Sequence, residues 1–93
     1  MMALYKNTVG AAIKLNCGQD ITSATSTTIE VRKPDGSEVS WPATIVESTK
    51  LQYVTQEGDL DQAGDYRLQP KLTIGDWTGR GDTAVLKIRD YWQ

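Results

Sequence analysis

The sequence predicts an all-β protein in which two antiparallel sheets pack face to face. Apolar residues alternate with polar ones at a period of two in several short segments, as in half-buried strands. Turn signals rich in Gly, Pro, Asp and Ser separate these segments at intervals of roughly 8 to 12 residues. No long stretch shows the apolar stripe of an amphipathic helix. About seven short strands favour a sandwich, with a small closed barrel as the alternative.

Ile13, Leu15 and Cys17 indicate an early strand, because they alternate with polar or small residues and should therefore face the core. Cys17 is the one cysteine in the chain, so no internal disulfide can form, which suits a reducing compartment. We expect its thiol to be buried, because free cysteine packs like a small hydrophobic residue.

Residues 25–32 are rich in β-branched threonine and predict the next strand, with Ile29 and Val31 facing inward. A turn follows at residues 34–37, where proline presets φ, aspartate can bond to the backbone and glycine accepts a positive φ. We therefore expect a hairpin that returns through residues 38–46.

This returning segment places Val39, Trp41, Ala43 and Ile45 on one face. Pro42 lacks a backbone N–H and therefore predicts an edge strand or a bulge. Trp41 is accordingly either a core residue or, at such an edge, a candidate for contact with a partner.

A polar connection over residues 56–63 follows a strand at residues 51–55 and should cross from one sheet to the other. The stretch DQAGDY at residues 61–66 is typical of a tyrosine corner, the bend that delivers the chain into a central strand of an immunoglobulin-like sandwich. We expect structural roles for Asp61, Gly64 and Tyr66.

The strand that begins at residue 66 has the clearest period of two in the chain. Its inward set is Tyr66, Leu68, Pro70, Leu72 and Ile74. Residues 75–81 are expected to form a loop in which Gly79 and Gly81 take a positive φ. A last strand over residues 82–89 then turns its even-numbered apolar residues inward.

Length and charge restrict the possible functions. A chain of 93 residues predicts one domain spanning residues 1–93. The formal net charge is −2 and the 10 basic residues are scattered along the sequence, so we predict no nucleic-acid partner. No apolar run approaches the roughly 18 residues of a membrane span, and residues 1–10 lack the apolar core of a signal peptide. These features predict a cytoplasmic protein without a membrane partner.

No constellation of catalytic residues is present in the sequence. Histidine is absent, and no glycine-rich loop could cradle a phosphate, so we predict no enzyme, no cofactor and no small-molecule substrate. Asp59, Asp61 and Asp65 supply oxygen atoms of the kind that calcium prefers, but they lack the acidic spacing of an EF-hand. We therefore predict no metal site.

Aromatic placement is the feature that suggests a protein partner. Trp77 lies in the predicted last loop, and Tyr91 and Trp92 lie at the C-terminus. Tryptophan and tyrosine are favoured interface anchors because they bury a large apolar area and keep a polar group. The interface candidates are Trp41, Trp77, Tyr91 and Trp92, and the alternative for Trp92 is that it folds back over the open end of the sandwich.

Three segments carry a family resemblance: KPDGSEVSW at residues 33–41, GDLDQAGDYRLQP at residues 58–70 and WTGRG at residues 77–81. They resemble the pattern in small immunoglobulin-like structural proteins of tailed phages and prophages, and are similar to the N-terminal domain of phage baseplate upper proteins. The resemblance implies an immunoglobulin-like antiparallel β-sandwich of about seven strands without a disulfide. It also implies a non-enzymatic structural or assembly module of the tail, baseplate or head.

Such a module would contact other phage structural proteins, or copies of itself as a homo-oligomer. It would reside in the bacterial cytoplasm during assembly and then in the virion. The alternative is an immunoglobulin-like module that binds carbohydrate or a host surface, with Trp77 stacked on a sugar ring.

Leu68 gives the first testable prediction. In antibody domains a disulfide joins the second strand to the position two residues after the corner tyrosine, and here those places are held by Cys17 and Leu68. Apolar packing has to replace a bridge that usually contributes about 2 to 4 kcal/mol. Leu68→Ala should therefore lower the free energy of unfolding by about 2 to 5 kcal/mol in denaturant titrations. A loss under about 1 kcal/mol would mean that Leu68 is not a core residue.

Overall fold

A computed structural model describes residues 4–92, which form two β-sheets packed as a sandwich. Strands account for 54 % of this part of the chain, and it contains no helix. The predicted all-β sandwich is thereby confirmed. The strands of residues 4–92 are β1 (Leu4–Tyr5), β2 (Ala12–Asn16), β3 (Ser26–Arg32), β4 (Glu38–Pro42), β5 (Thr44–Val46), β6 (Lys50–Val54), β7 (Gly64–Ile74), β8 (Trp77–Arg80) and β9 (Ala84–Arg89).

The larger sheet has the strand order β1-β9-β7-β3-β4, with β8 also paired to β7, and the smaller sheet has the order β2-β6-β5. Strand β1 runs parallel to β9, whereas every other described pair is antiparallel. Strand β7 is the central strand of the larger sheet, because it pairs with β3 along one edge and with β8 and β9 along the other.

Within residues 4–92, twelve buried apolar side chains fill the space between the sheets. They come from both sheets and from the segments that join them, and Leu68 is among them as predicted. The set is Ile13, Leu15, Ile21, Ile29, Val31, Trp41, Leu51, Leu60, Tyr66, Leu68, Leu72 and Ile88. The period of two in β3 and β7 therefore identified core residues correctly, except that Ile74, the last of the predicted inward set, is only half-buried.

Cys17 is only half-buried, in contrast to the buried thiol that was expected. Its strand ends at Asn16, so Cys17 lies just beyond β2, where it packs against the core as a partly buried side chain. Partial burial still raises the pKa of the thiol above its ordinary value.

The returning segment of the first hairpin changes sheets. Strand β4 is the edge of the larger sheet and β5 is an edge of the smaller one, with the break at Ala43, next to Pro42. The edge location predicted from Pro42 is confirmed. Val39, which was expected to share a face with Trp41, is exposed because β4 has no neighbour on its outer side.

The tyrosine corner is present. Tyr66 is fully buried, and its hydroxyl oxygen accepts a hydrogen bond from the backbone N–H of Gln62 at 3.0 Å. Gly64 has a φ of 131°, and a Cβ there would lie 2.9 Å from the ring of Pro34. Lys33 Nζ lies 2.9 Å from Asp61 Oδ1, and this ion pair links the corner to the turn between β3 and β4.

The predicted loop at residues 75–81 is wrong over most of its length. Gly75, with a φ of 58°, begins a two-residue turn that leads directly into β8, which pairs with β7. Gly79 and Gly81 do not have the positive φ that was expected. These two positions have no space for a side chain. A Cβ at Gly79 would lie 2.4 Å from the Trp77 ring, and a Cβ at Gly81 would lie 2.8 Å from Pro70.

Removal of the corner hydroxyl tests this arrangement. Tyr66→Phe should lower the free energy of unfolding by about 1 to 3 kcal/mol, because the Gln62 N–H loses its acceptor while the ring stays packed. Tyr91→Phe is a matched control, because it also removes a hydroxyl that accepts a hydrogen bond, here from the Asn7 amide, but at an exposed site where the loss should change stability by less than about 0.5 kcal/mol. Equal effects of the two substitutions in urea titrations would contradict a structural role for the corner bond.

Candidate functional site

Trp41 lies in the core, the first of the two roles that the sequence left open. Its ring is buried and stacks on Tyr53, with ring centroids 4.7 Å apart and planes inclined by 17°. Among residues 4–92, no hydrogen-bond acceptor reaches its Nε1. Trp41 is therefore not available as an anchor for a partner.

Trp77 is at the surface, where it opens β8 and is 51 % exposed. It shares a face of that strand with Gly79, and three atoms of its ring lie within about 3 Å of where a Gly79 Cβ would be. The ring thus rests over Gly79. The contact with the backbone leaves a large part of the indole open to solvent.

The C-terminal aromatic residues form a second exposed group with Tyr5. Trp92 is 100 % exposed and does not fold back over the sandwich, whereas Tyr91 is 50 % exposed and held in place. The Asn7 amide donates a hydrogen bond to the Tyr91 hydroxyl at 3.0 Å, and Lys6 Nζ lies 5.2 Å from the ring centroid. Tyr5, Tyr91 and Trp92 line a shallow hollow.

These two aromatic groups lie at opposite ends of the larger sheet. Strand β7 starts at Gly64, opposite Ile88 near the C-terminal group, and ends at Ile74, opposite Trp77. Its 11 residues span about 33 Å in a molecule whose longest extent is 45 Å. The three exposed interface candidates, Trp77, Tyr91 and Trp92, therefore form two separate surfaces and not one patch.

Two of the three carboxylates considered for calcium have other partners within the described part of the chain. Asp59 accepts hydrogen bonds from the Tyr53 hydroxyl at 2.5 Å and from the Gln56 N–H at 2.6 Å, while Asp61 pairs with Lys33. Burial, with a contribution from Asp59, raises the pKa of Tyr53 to about 12. Within residues 4–92, no group of three or more possible ligands is arranged to hold a metal ion.

Cations that are scattered in the sequence converge on the outer face of the larger sheet. Arg32 comes from β3, Arg67 and Lys71 come from β7, and Arg80 comes from β8. The pairing registers place Arg32 opposite Arg67 and Lys71 opposite Arg80. Sequence reasoning missed this face, because only the registers of separate strands bring these residues together.

A groove of about 220 Å³ runs across this face and is lined by three guanidinium groups. Arg32 donates to Glu38 Oε2 through Nε at 3.1 Å and Nη2 at 2.5 Å, and these hydrogen bonds lower the pKa of Glu38. Arg80 Nη1 donates to Gln69 Oε1 at 3.3 Å. The Arg67 guanidinium makes no hydrogen bond or ion pair with any other residue in the 4–92 range. The groove therefore presents uncommitted donors that suit an anionic group.

Comparisons with protein-family models, with curated proteins and with solved structures found no match to this chain. Over residues 4–92, no helix is long and apolar enough to cross a membrane.

Proposed function

We propose that this chain is a non-enzymatic structural module that works through protein–protein contacts and joins copies of itself end to end. The supporting observation is the exposure of large aromatic side chains at opposite ends of the sandwich, with Trp77 at one end and Tyr91 and Trp92 at the other. Two unlike surfaces at opposite ends join subunits head to tail, which builds rings or open filaments.

The proposal includes an immunoglobulin-like topology. Its support is the tyrosine corner at Tyr66, the placement of β4 and β5 in different sheets, and the central position of β7. The assignment to the tail, baseplate or head of a phage particle rests on the resemblance at residues 33–41, 58–70 and 77–81. The same resemblance supports the proposed location, which is the bacterial cytoplasm during assembly and then the virion.

Sedimentation velocity over a range of concentrations tests the end-to-end association. The average mass of the wild-type chain should rise with concentration, and Trp77→Ala or Trp92→Ala alone should suppress the rise, because each removes one end of the contact. An equimolar mixture of the two variants should form dimers but nothing larger, since one intact end of each kind remains. Val85→Ala, which truncates an exposed side chain opposite Arg67 in the middle of the larger sheet, is the control.

A wild-type chain that stays monomeric at every concentration would contradict the proposed self-association. So would association that survives both tryptophan substitutions. Mixed variants that form no dimer, although the wild-type chain associates, would show that the two ends do not contact each other.

A second candidate function is favoured by the way Trp77 lies over Gly79. An indole that is supported on one side by backbone and open on the other can stack on a sugar ring. In this function the module would bind carbohydrate, for example on a host surface, as a monomer.

NMR of the indole N–H groups of the 3 tryptophans tests this candidate with a panel of soluble oligosaccharides. A sugar that stacks on Trp77 should shift the Trp77 signal alone, and Gly79→Ala should abolish the shift because the new Cβ displaces the ring. Gly81→Ala is the matched control, since its Cβ meets Pro70 and not Trp77. No shift with any sugar, or an equal shift of Trp92, would contradict carbohydrate binding at this position.

A further inference from the structure

Two pairs of like charges face each other on the outer face of the larger sheet. Arg32 of β3 is the direct cross-strand partner of Arg67, and Lys71 is the direct partner of Arg80. Opposed like charges destabilise a strand pair. Since proteins break such local rules mainly at functional sites, this arrangement marks the face as a candidate binding surface.

The carboxylates already on this face offset only part of the positive charge. Glu38 is engaged by Arg32, and Glu30 accepts from Ser40 and lies 4.0 Å from Lys71. Arg67 keeps all of its donors free of partners within residues 4–92. The outer face therefore carries a net positive charge, although the formal net charge of the whole chain is −2.

The charges alternate in rows along β7. A basic row at Arg67 is followed by a row holding Gln69 and Glu30, and then by a second basic row at Lys71. Residues 67 and 71 are four positions apart in an extended strand, which separates the two basic rows by about 13 Å. A complementary extended chain would carry acidic, basic and acidic side chains at alternate positions.

We propose that this outer face docks an extended segment of a partner protein, with carboxylates at positions i and i+4 and a basic residue at i+2. Arg67 and Arg80 would bind the carboxylates through their planar guanidinium groups, and Glu30 would form an ion pair with the basic residue. Glu30 and Glu38 would repel a uniformly charged polyanion, so the face fits a patterned peptide better than a nucleic acid. The surface is separate from the aromatic ends, so this inference does not depend on the self-association.

Fluorescence anisotropy with labelled synthetic peptides tests the docking face. A peptide centred on Glu-Thr-Lys-Thr-Glu should bind, and one of the same length centred on Lys-Thr-Glu-Thr-Lys should bind at least about tenfold more weakly. Arg67→Gln should weaken the first peptide about tenfold, and an increase in salt from about 50 to about 500 mM should do the same. Lys14→Gln, on the smaller sheet, is the control and should leave binding unchanged.

Thermal unfolding separates binding from a structural role of Arg67. Because the substitution removes an opposed like charge, Arg67→Gln should leave the midpoint of unfolding unchanged or raise it. A lower midpoint would show that Arg67 stabilises the fold and would overturn the proposal. Absence of binding to the first peptide, equal binding of both peptides, or tighter binding of heparin or duplex DNA would overturn it as well.

Discussion

The hydrogen bond from the Gln62 N–H to the Tyr66 hydroxyl is the constraint on which the rest of the structure depends. It fixes the point where the chain, arriving from the smaller sheet, enters β7, the strand that pairs with β3, β8 and β9. Tyr66 is fully buried, so a loss of the bond would leave a polar group at the corner without its partner. The placement of the two aromatic ends and of the basic outer face follows from the position of β7.

Much of the fold was predictable because alternation in the sequence reflects burial on one face. Ile29, Val31 and Leu68 were assigned to the core on this ground, and the corner was recognised from the residues around Gly64 and Tyr66. Strand β8 was not predicted, because its residues show no alternation and its two-residue turn resembles the start of a loop. The register with β7, and not local sequence, determines its conformation.

The candidate surfaces were predictable only in part. Exposed aromatic residues could be named from the sequence, yet their separation to opposite ends depends on the length of β7. The basic face could not be named, because Arg32, Arg67 and Arg80 lie on three strands and meet only through the pairing registers. In our proposal, the two aromatic ends contact other copies of the chain and the charged face between them binds a different protein, which suits a structural role.

Hydrogen exchange of the Gln62 amide tests the corner most directly. Gln62 lies outside any strand, so its protection depends on the bond to Tyr66 and not on a strand ladder. We predict that this amide exchanges as slowly as the Leu68 amide of β7 in the wild-type chain, and at the rate of an exposed loop in Tyr66→Phe. Rapid exchange of Gln62 in the wild-type chain would contradict the account of how the two sheets are joined.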